Sequence, residues 1–115
     1  MAARRSRLSR SSDFQRIYRQ GSSVASRFLV VYWFRRPPEV TAEGPRLGLS
    51  VSKKLGGAVV RNRVKRRLRE AVRTRLWKVG PQWDIVFNAR RAVLEAPWQE
   101  LEREVERVLR RCKPS

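Results

Sequence analysis

A single small α+β domain, an α/β sandwich, is what the sequence predicts, and three observations predict it. The chain has 115 residues, which is room for one compact core and not two, so residues 1–115 are read as one domain. Apolar residues make up 41% of it and include four Trp, two Tyr and four Phe, enough to fold and too much for a disordered tail. Short runs rich in β-branched and aromatic residues alternate with longer stretches whose apolar residues recur at helical spacing.

In chain order, residues 1–10 carry Arg4, Arg5, Arg7 and Arg10 and read as a mobile basic arm. Ser12 followed by Gln15 is a capping-box pair, which opens a short helix ending before Gly21 with Phe14, Ile17 and Tyr18 on one face. Phe28–Phe34 is apolar throughout and flanked by turn formers, hence a strand, and residues 22–26 can pair with it or extend it. Pro37, Pro38, Gly44 and Pro45 mark a loop. Arg46–Lys53 alternates, with Leu47, Leu49 and Val51 on one side and Gly48, Ser50 and Ser52 on the other, a half-buried strand whose small polar face is open to an outside ligand. After Gly56-Gly57 a helix runs to about Val79, with Val60, Val64, Leu68, Val72, Leu76 and Ala71 as its buried stripe. Asp84–Phe87 is a further strand. Pro97 opens a last helix that buries Trp98, Leu101, Val105, Val108, Leu109 and Cys112. The order is α-β-β-α-β-α, with one more strand available near residue 24.

Charge identifies the partner. Lys and Arg number 28 against 10 Asp and Glu, a net charge of +18 with no histidine. Such an excess repels itself unless a polyanion neutralises it, which points to nucleic acid. It is also unevenly placed: residues 53–78 hold eleven Lys or Arg and a single acid, Glu70, whereas residues 95–106 hold five of the ten acids. Arg predominates over Lys, which favours forked contacts to phosphate. Phe14, Tyr18 and Tyr32 add aromatic surface. The strand at 28–34 is apolar on both faces, so one face is either covered or exposed for stacking, and aromatic platforms beside a positive groove are how single strands are bound.

The same residues exclude other classes. A self-sufficient nuclease needs a general base or carboxylates converging on metal. Here there is no histidine, Asp84 and Glu70 stand isolated, and Glu100, Glu102, Glu104 and Glu106 alternate around a helix where Arg103, Arg107 and Arg110 pair with them. No catalytic residue is named, and no metal ligand. Cys112, the sole cysteine, allows neither an internal disulfide nor a zinc site and reads as a small buried hydrophobe. No apolar run is long enough to span a bilayer and no secretory signal is visible, so a cytoplasmic protein with no membrane partner is expected.

Arg46-Leu-Gly-Leu-Ser-Val-Ser-Lys-Lys54 and Gly57-Ala-Val-Val-Arg-Asn-Arg-Val-Lys-Arg-Arg-Leu-Arg69 resemble the protein subunit of bacterial ribonuclease P. The likeness extends to Ser11–Gln15, Gly21–Ala25 and Asp84–Arg90 and so covers most of the chain. It implies a four-stranded mixed sheet packed against helices, in the order α-β-β-β-α-β-α, with a left-handed βαβ crossover. It further implies a ribonucleoprotein whose RNA is the catalyst, cutting the 5′ leader from precursor tRNA with Mg²⁺ bound mainly by the RNA. The partners would be the ribonuclease P RNA and precursor tRNA, with no protein partner required. By position, the resemblance places the catalytic RNA on Arg61, Asn62, Arg63, Lys65, Arg66 and Arg69. It places the single-stranded leader in a cleft made by Phe14, Tyr18, Tyr32, Ser50, Ser52, Lys53 and Arg90. Tyr18 replaces the family's frequent phenylalanine, Ser52 a basic residue of some relatives, and Arg67 an apolar one. Composition alone leaves open a purely structural RNA-binding protein.

Overall fold

The computed structural model describes residues 8, 10–37, 44–75 and 79–111. Its elements are helix α1 (Ser11–Gln20), strands β1 (Ser22–Ala25), β2 (Leu29–Arg35) and β3 (Arg46–Val51), a 3₁₀ turn (Lys53–Leu55), helix α2 (Ala58–Arg73), strand β4 (Trp83–Ala89), a single helical turn α3 (Ala92–Glu95) and helix α4 (Trp98–Arg111). The sheet is mixed, in the order β1-β2-β4-β3, with β1–β2 and β2–β4 antiparallel and β3–β4 parallel. The parallel pair is joined through α2, as a crossover requires. The four-stranded mixed α+β fold is therefore the one expected, and residues 22–25 do form the extra strand.

Two apolar clusters hold the sheet. On one face Leu29, Val31, Ile85 and Phe87 pack against Val64, Leu68, Ala71 and Val72 of α2 and Leu101, Val105, Val108 and Leu109 of α4. On the other, Ile17 of α1 and Leu8 meet Val86, with Phe14, Tyr32 and Phe34 packed beside them. Gly56, between the 3₁₀ turn and α2, has φ of 144°, a conformation that side chains disfavour, and there the chain turns from strand exit to helix.

Several expectations need correction. Leu8, placed in the mobile arm, is buried, and its N–H donates to the Leu47 carbonyl at 2.8 Å. The capping box is not made: α1 begins two residues earlier, with Arg10 and not Ser12 at the cap and no side-chain cap bond. Helix α2 stops at Arg73 and not near Val79. There Arg75 turns back to donate to the Ala71 carbonyl at 3.1 Å, and its guanidinium is held by Glu102 and Glu106 of α4. Such a side chain satisfies an orphan carbonyl and closes the helix end. Phe28, which strict alternation along 28–34 would put on the same face as Tyr32, joins the α2/α4 core, because the chain turns between Ser26 and Leu29 and breaks the alternation. Trp98 is 39% exposed, with the Arg67 guanidinium lying over its ring. Leu76, Cys112 and residues 1–7 and 9 of the arm lie outside the described residues.

Candidate nucleic-acid interface

Strand register arranges the α1 side of the sheet in rows. Tyr32 lies opposite Val86, which lies beside Gly48; in the next row Val30 lies opposite Asn88, which lies beside Ser50. Helix α1 covers the first row. Its Phe14 ring comes so close to Gly48 that a Cβ there would sit 2.8 Å from the ring. Gly48 is thus a buried floor and not part of an open polar face. The second row is half-buried, and among the described residues the α1 cluster does not include it.

The aromatic residues form a continuous wall along the edge of α1. The Phe14 and Tyr18 rings are 6.3 Å apart, and Tyr18 meets Tyr32 edge-on at 4.8 Å. Phe14 and Tyr32 are half-buried, while Tyr18 is 38% exposed and its hydroxyl donates to Asn88 Oδ1 at 3.0 Å. Ser50 borders the open row. Ser52 is occupied locally, since its hydroxyl accepts from the Lys54 N–H at 3.1 Å and caps the 3₁₀ turn. Lys53 and Arg90 are exposed just beyond the ends of β3 and β4. The structure therefore brings Phe14, Tyr18, Tyr32 and Ser50 to one face, with Lys53 and Arg90 at strand ends that border it. Asn88 belongs to the same face and was missed, because in sequence it reads only as a polar position on an edge of an apolar run.

Helix α2 separates its charges cleanly from its core stripe. Asn62, Arg63 and Arg66 are exposed, and Arg61, Lys65 and Arg69 are half-buried. At 100° per residue, Asn62, Arg66, Arg69 and Arg73 lie opposite Val64, Leu68 and Ala71. Among the described residues no acid pairs with Arg61, Arg63, Lys65, Arg66 or Arg69, since Glu70 is taken by Arg73 at 3.1 Å. Arg61 Nε is buried without a protein partner. A ridge of unneutralised guanidiniums on a rigid helix is a surface for phosphates.

Other arginines are structural. Arg67, on the same helix, donates to the carbonyls of Val93 (2.7 Å), Leu94 (3.1 Å) and Ala96 (2.7 Å) and so caps α3. Asp84, expected to stand isolated, is fully buried and accepts from Arg36 Nη1 at 2.6 Å and from Arg46 Nε and Nη2 at 2.8 and 2.7 Å. Hydrogen bonding to Asp84 raises the Arg46 pKa above its already high ordinary value, so Arg46 stays charged. Arg36, itself buried, also donates to the carbonyls of Gly44, Pro81 and Trp83 and ties two loops together. On α4 Glu104 pairs with Arg107 at 2.7 Å and Glu106 with Arg110 at 4.0 Å, as expected, but Glu102 pairs instead with Arg75 at 3.3 Å, and among the described residues no ion pair joins Glu100 or Arg103. A groove of about 360 Å³ lined by Arg27, Phe28, Glu100, Arg103, Glu104 and Arg107 mixes both signs and does not suit a polyanion. Among the described residues, no group of three acids or cysteines could hold a metal, and no helix is long and apolar enough to cross a membrane.

Comparison with known proteins places these features in a family. The sequence profile of the Ribonuclease P family matches residues 2–113. The ribonuclease P protein component of Symbiobacterium thermophilum is 45% identical over 107 residues, 92% of this chain and 90% of that protein. That of Acidothermus cellulolyticus is 42% identical over 111 residues, covering 96% and 91%. Among solved structures, the RNase P protein of Staphylococcus aureus superimposes with a TM-score of 0.79 at 39% identity, over 94% of this chain and 95% of that one. The RNase P protein of Thermotoga maritima gives 0.79 at 27% identity, over 94% and 98%. With its fold, its basic helix and nearly its whole length matched, the chain belongs to the ribonuclease P protein family.

Proposed function

We propose that this chain is the accessory subunit of a ribonucleoprotein endonuclease that matures the 5′ end of tRNA. It binds the catalytic RNA through Arg61, Asn62, Arg63, Lys65, Arg66 and Arg69 and grips the single-stranded leader of precursor tRNA along the α1 face. One observation carries the reading: a sheet face half covered by a short helix, walled by Phe14, Tyr18 and Tyr32, with Ser50 in its open row and Lys53 and Arg90 near its edge. Bases stack on such a wall while the cations meet the backbone. Ser52, held in its cap, contributes position more than contact. Mature tRNA lacks a leader, so contacts made only to the leader favour precursor over product.

The chemistry is assigned to the RNA. Among the described residues no three acids gather into a metal site, which supports a Mg²⁺ held mainly by RNA phosphates. Neutralising those phosphates with α2 lowers the Mg²⁺ concentration that the RNA needs to fold and act. The work takes place in the cytoplasm, with no further protein required.

The test is cleavage of a labelled precursor tRNA at low Mg²⁺ by the ribonuclease P RNA, with and without this protein, and by the protein alone. Stimulation of the RNA without cleavage by the protein alone is expected. Tight RNA binding without stimulation would make the chain a structural RNA-binding protein. Within the cleft, Phe14→Ala should cost about 1–3 kcal/mol in precursor binding and leave mature tRNA affinity in place; equal losses on both would remove the leader from this face.

A further inference from the structure

Among the described residues three large apolar side chains are exposed, Tyr18, Val59 and Trp98. Tyr18 belongs to the α1 face. The other two flank the basic ridge of α2. Val59, Arg63 and Arg67 follow one another at steps of four along one side of that helix. Arg67 in turn carries Trp98 of α4, its guanidinium 5.7 Å from the centre of the ring. A lone exposed ring needs no explanation, but this one is held still. Arg67 is fixed by the carbonyls of Val93, Leu94 and Ala96, and Leu101, three residues beyond Trp98 on α4, is fully buried. The indole is therefore a rigid surface, 39% exposed, resting on a cation that has no freedom to follow it. One turn from Arg67 on the same side stands the exposed Arg63, with no acid paired to it among the described residues.

We infer that Trp98 is a stacking platform for an unpaired base of the catalytic RNA, whose neighbouring phosphates meet Arg63. The inference rests on the α2 reading above. It extends that interface from α2 to the start of α4, and from contact with phosphate to contact with a base. Phosphate gains nothing from an indole, whereas every base has a flat face to lay against one. Arg67 draws the ring to itself by cation–π attraction and leaves the exposed part for a ligand. Glu95, exposed three residues before Trp98, repels phosphate, which suits a base at the ring and the backbone further along, at Arg63. A paired helix hides its base faces, so the base comes from a loop, bulge or end.

The experiment measures the affinity of the full-length protein for ribonuclease P RNA over a range of salt concentrations, together with acrylamide quenching of Trp98 in the free and bound protein. The difference between parent and Trp98→Phe isolates that indole from the other three Trp. Trp98→Ala should weaken binding about fivefold or more at every salt concentration, the lower end of what one base–aromatic stack is worth. The salt slope should not change, because a stack releases no counterions. Trp98→Phe keeps a ring and should retain most of the affinity. The catalytic RNA should shield Trp98 from acrylamide, and a fully paired RNA duplex, which offers phosphates without a base face, should not. Unchanged affinity in Trp98→Ala, a lowered salt slope, a Trp98→Phe no better than Trp98→Ala, or equal shielding by the duplex overturns the inference. Shielding is read on the folded parent, so an indole still open to acrylamide in the complex overturns it whatever Trp98→Ala does to the fold. Arg63→Ala, measured beside these, separates the two readings. If it lowers affinity and salt slope while Trp98→Ala does neither, only the stack has failed; if it too changes nothing, the α2 interface itself has.

Discussion

Gly48→Ala tests whether the aromatic wall is seated as described. A Cβ at position 48 would lie 2.8 Å from Phe14 Cζ, 2.9 Å from Cε1 and 3.2 Å from Leu8 Cβ. Carbon atoms prefer about 3.5–4.0 Å, so the ring edge must retreat by roughly 0.7–1 Å. It has little freedom to do so. Ile17, one turn further along α1, is fully buried, and Leu8 is pinned by its hydrogen bond to Leu47. Overpacking of this kind costs about 1–3 kcal/mol, and we place it in the lower half because the clashing atoms are the far end of a side chain. Urea unfolding of a double-mutant cycle isolates the effect. In a Phe14→Ala background the ring is gone, so Gly48→Ala should cost at least about 1 kcal/mol less than it does in the parent. The same substitution should weaken precursor binding and spare mature tRNA, since the displaced ring is part of the cleft wall. Equal cost of Gly48→Ala in both backgrounds would show that Phe14 does not rest on the sheet at this point.

Further outcomes follow from the charged side chains. Asp84→Asn leaves the buried Arg36 guanidinium without its carboxylate and should cost about 3–5 kcal/mol, with part regained by adding Arg36→Met; thermal unfolding reads both, and a loss under about 1 kcal/mol refutes the network. Arg66→Ala should reduce the salt slope of catalytic-RNA affinity by about 0.7–0.9 while leaving the melting temperature unchanged. Arg67→Ala should do the reverse, lowering the melting temperature through its orphaned carbonyls without changing the slope, and identical behaviour of the two would erase the distinction between them. The Arg107 hydrogen bond, with a second from Ser26, holds the Glu104 carboxyl below its usual range against the opposing effect of burial. Its contribution to stability is therefore present above the ordinary carboxylate pKa and lost as pH falls through the lowered value, so Glu104→Gln should flatten the acid limb of unfolding; an unaltered limb speaks against the pair.

What was legible in the sequence was whatever a local pattern carries. The period of Val60, Val64, Leu68 and Val72 placed α2 and its basic outer face, and alternation at Leu47, Leu49 and Val51 placed β3. The misreadings share a cause: long-range partners overrode local signals. Leu8 looked like part of a basic arm until Leu47 supplied its backbone partner, and α2 ends early because Glu102 and Glu106, far along the chain, hold Arg75. Asp84 looked isolated because Arg36 and Arg46 lie across a loop from it. Arg66 and Arg67 are adjacent and chemically identical in sequence. Only the 100° between them separates a side chain facing solvent from one that caps α3. Asn88 was invisible because its significance lies in Tyr18, seventy residues earlier. The hand of the crossover is likewise not something that periodicity or composition can carry.

The cleft itself follows from unequal helix supply on the two faces of the sheet. One face receives α2 and α4, of 16 and 14 residues, and is dry. Among the described residues the other receives Leu8 and α1, of 10 residues, a cylinder about 15 Å long and 10–12 Å across. β2 and β4 have seven residues each, about 23 Å of strand, and the four strands span about 14 Å between their outer axes. However α1 is laid down, it covers about half of that face. An uncovered apolar half would invite aggregation. The residues left there are Ala25, Val30, Ser50 and Asn88, small or polar, with aromatic rings confined to the helix edge. That composition keeps the face soluble while it is empty, yet it still offers stacking and hydrogen bonds to a strand that lies along it. A sequence that paired apolar β2 with a longer first helix would fold as well and would close the open row beside the aromatic wall.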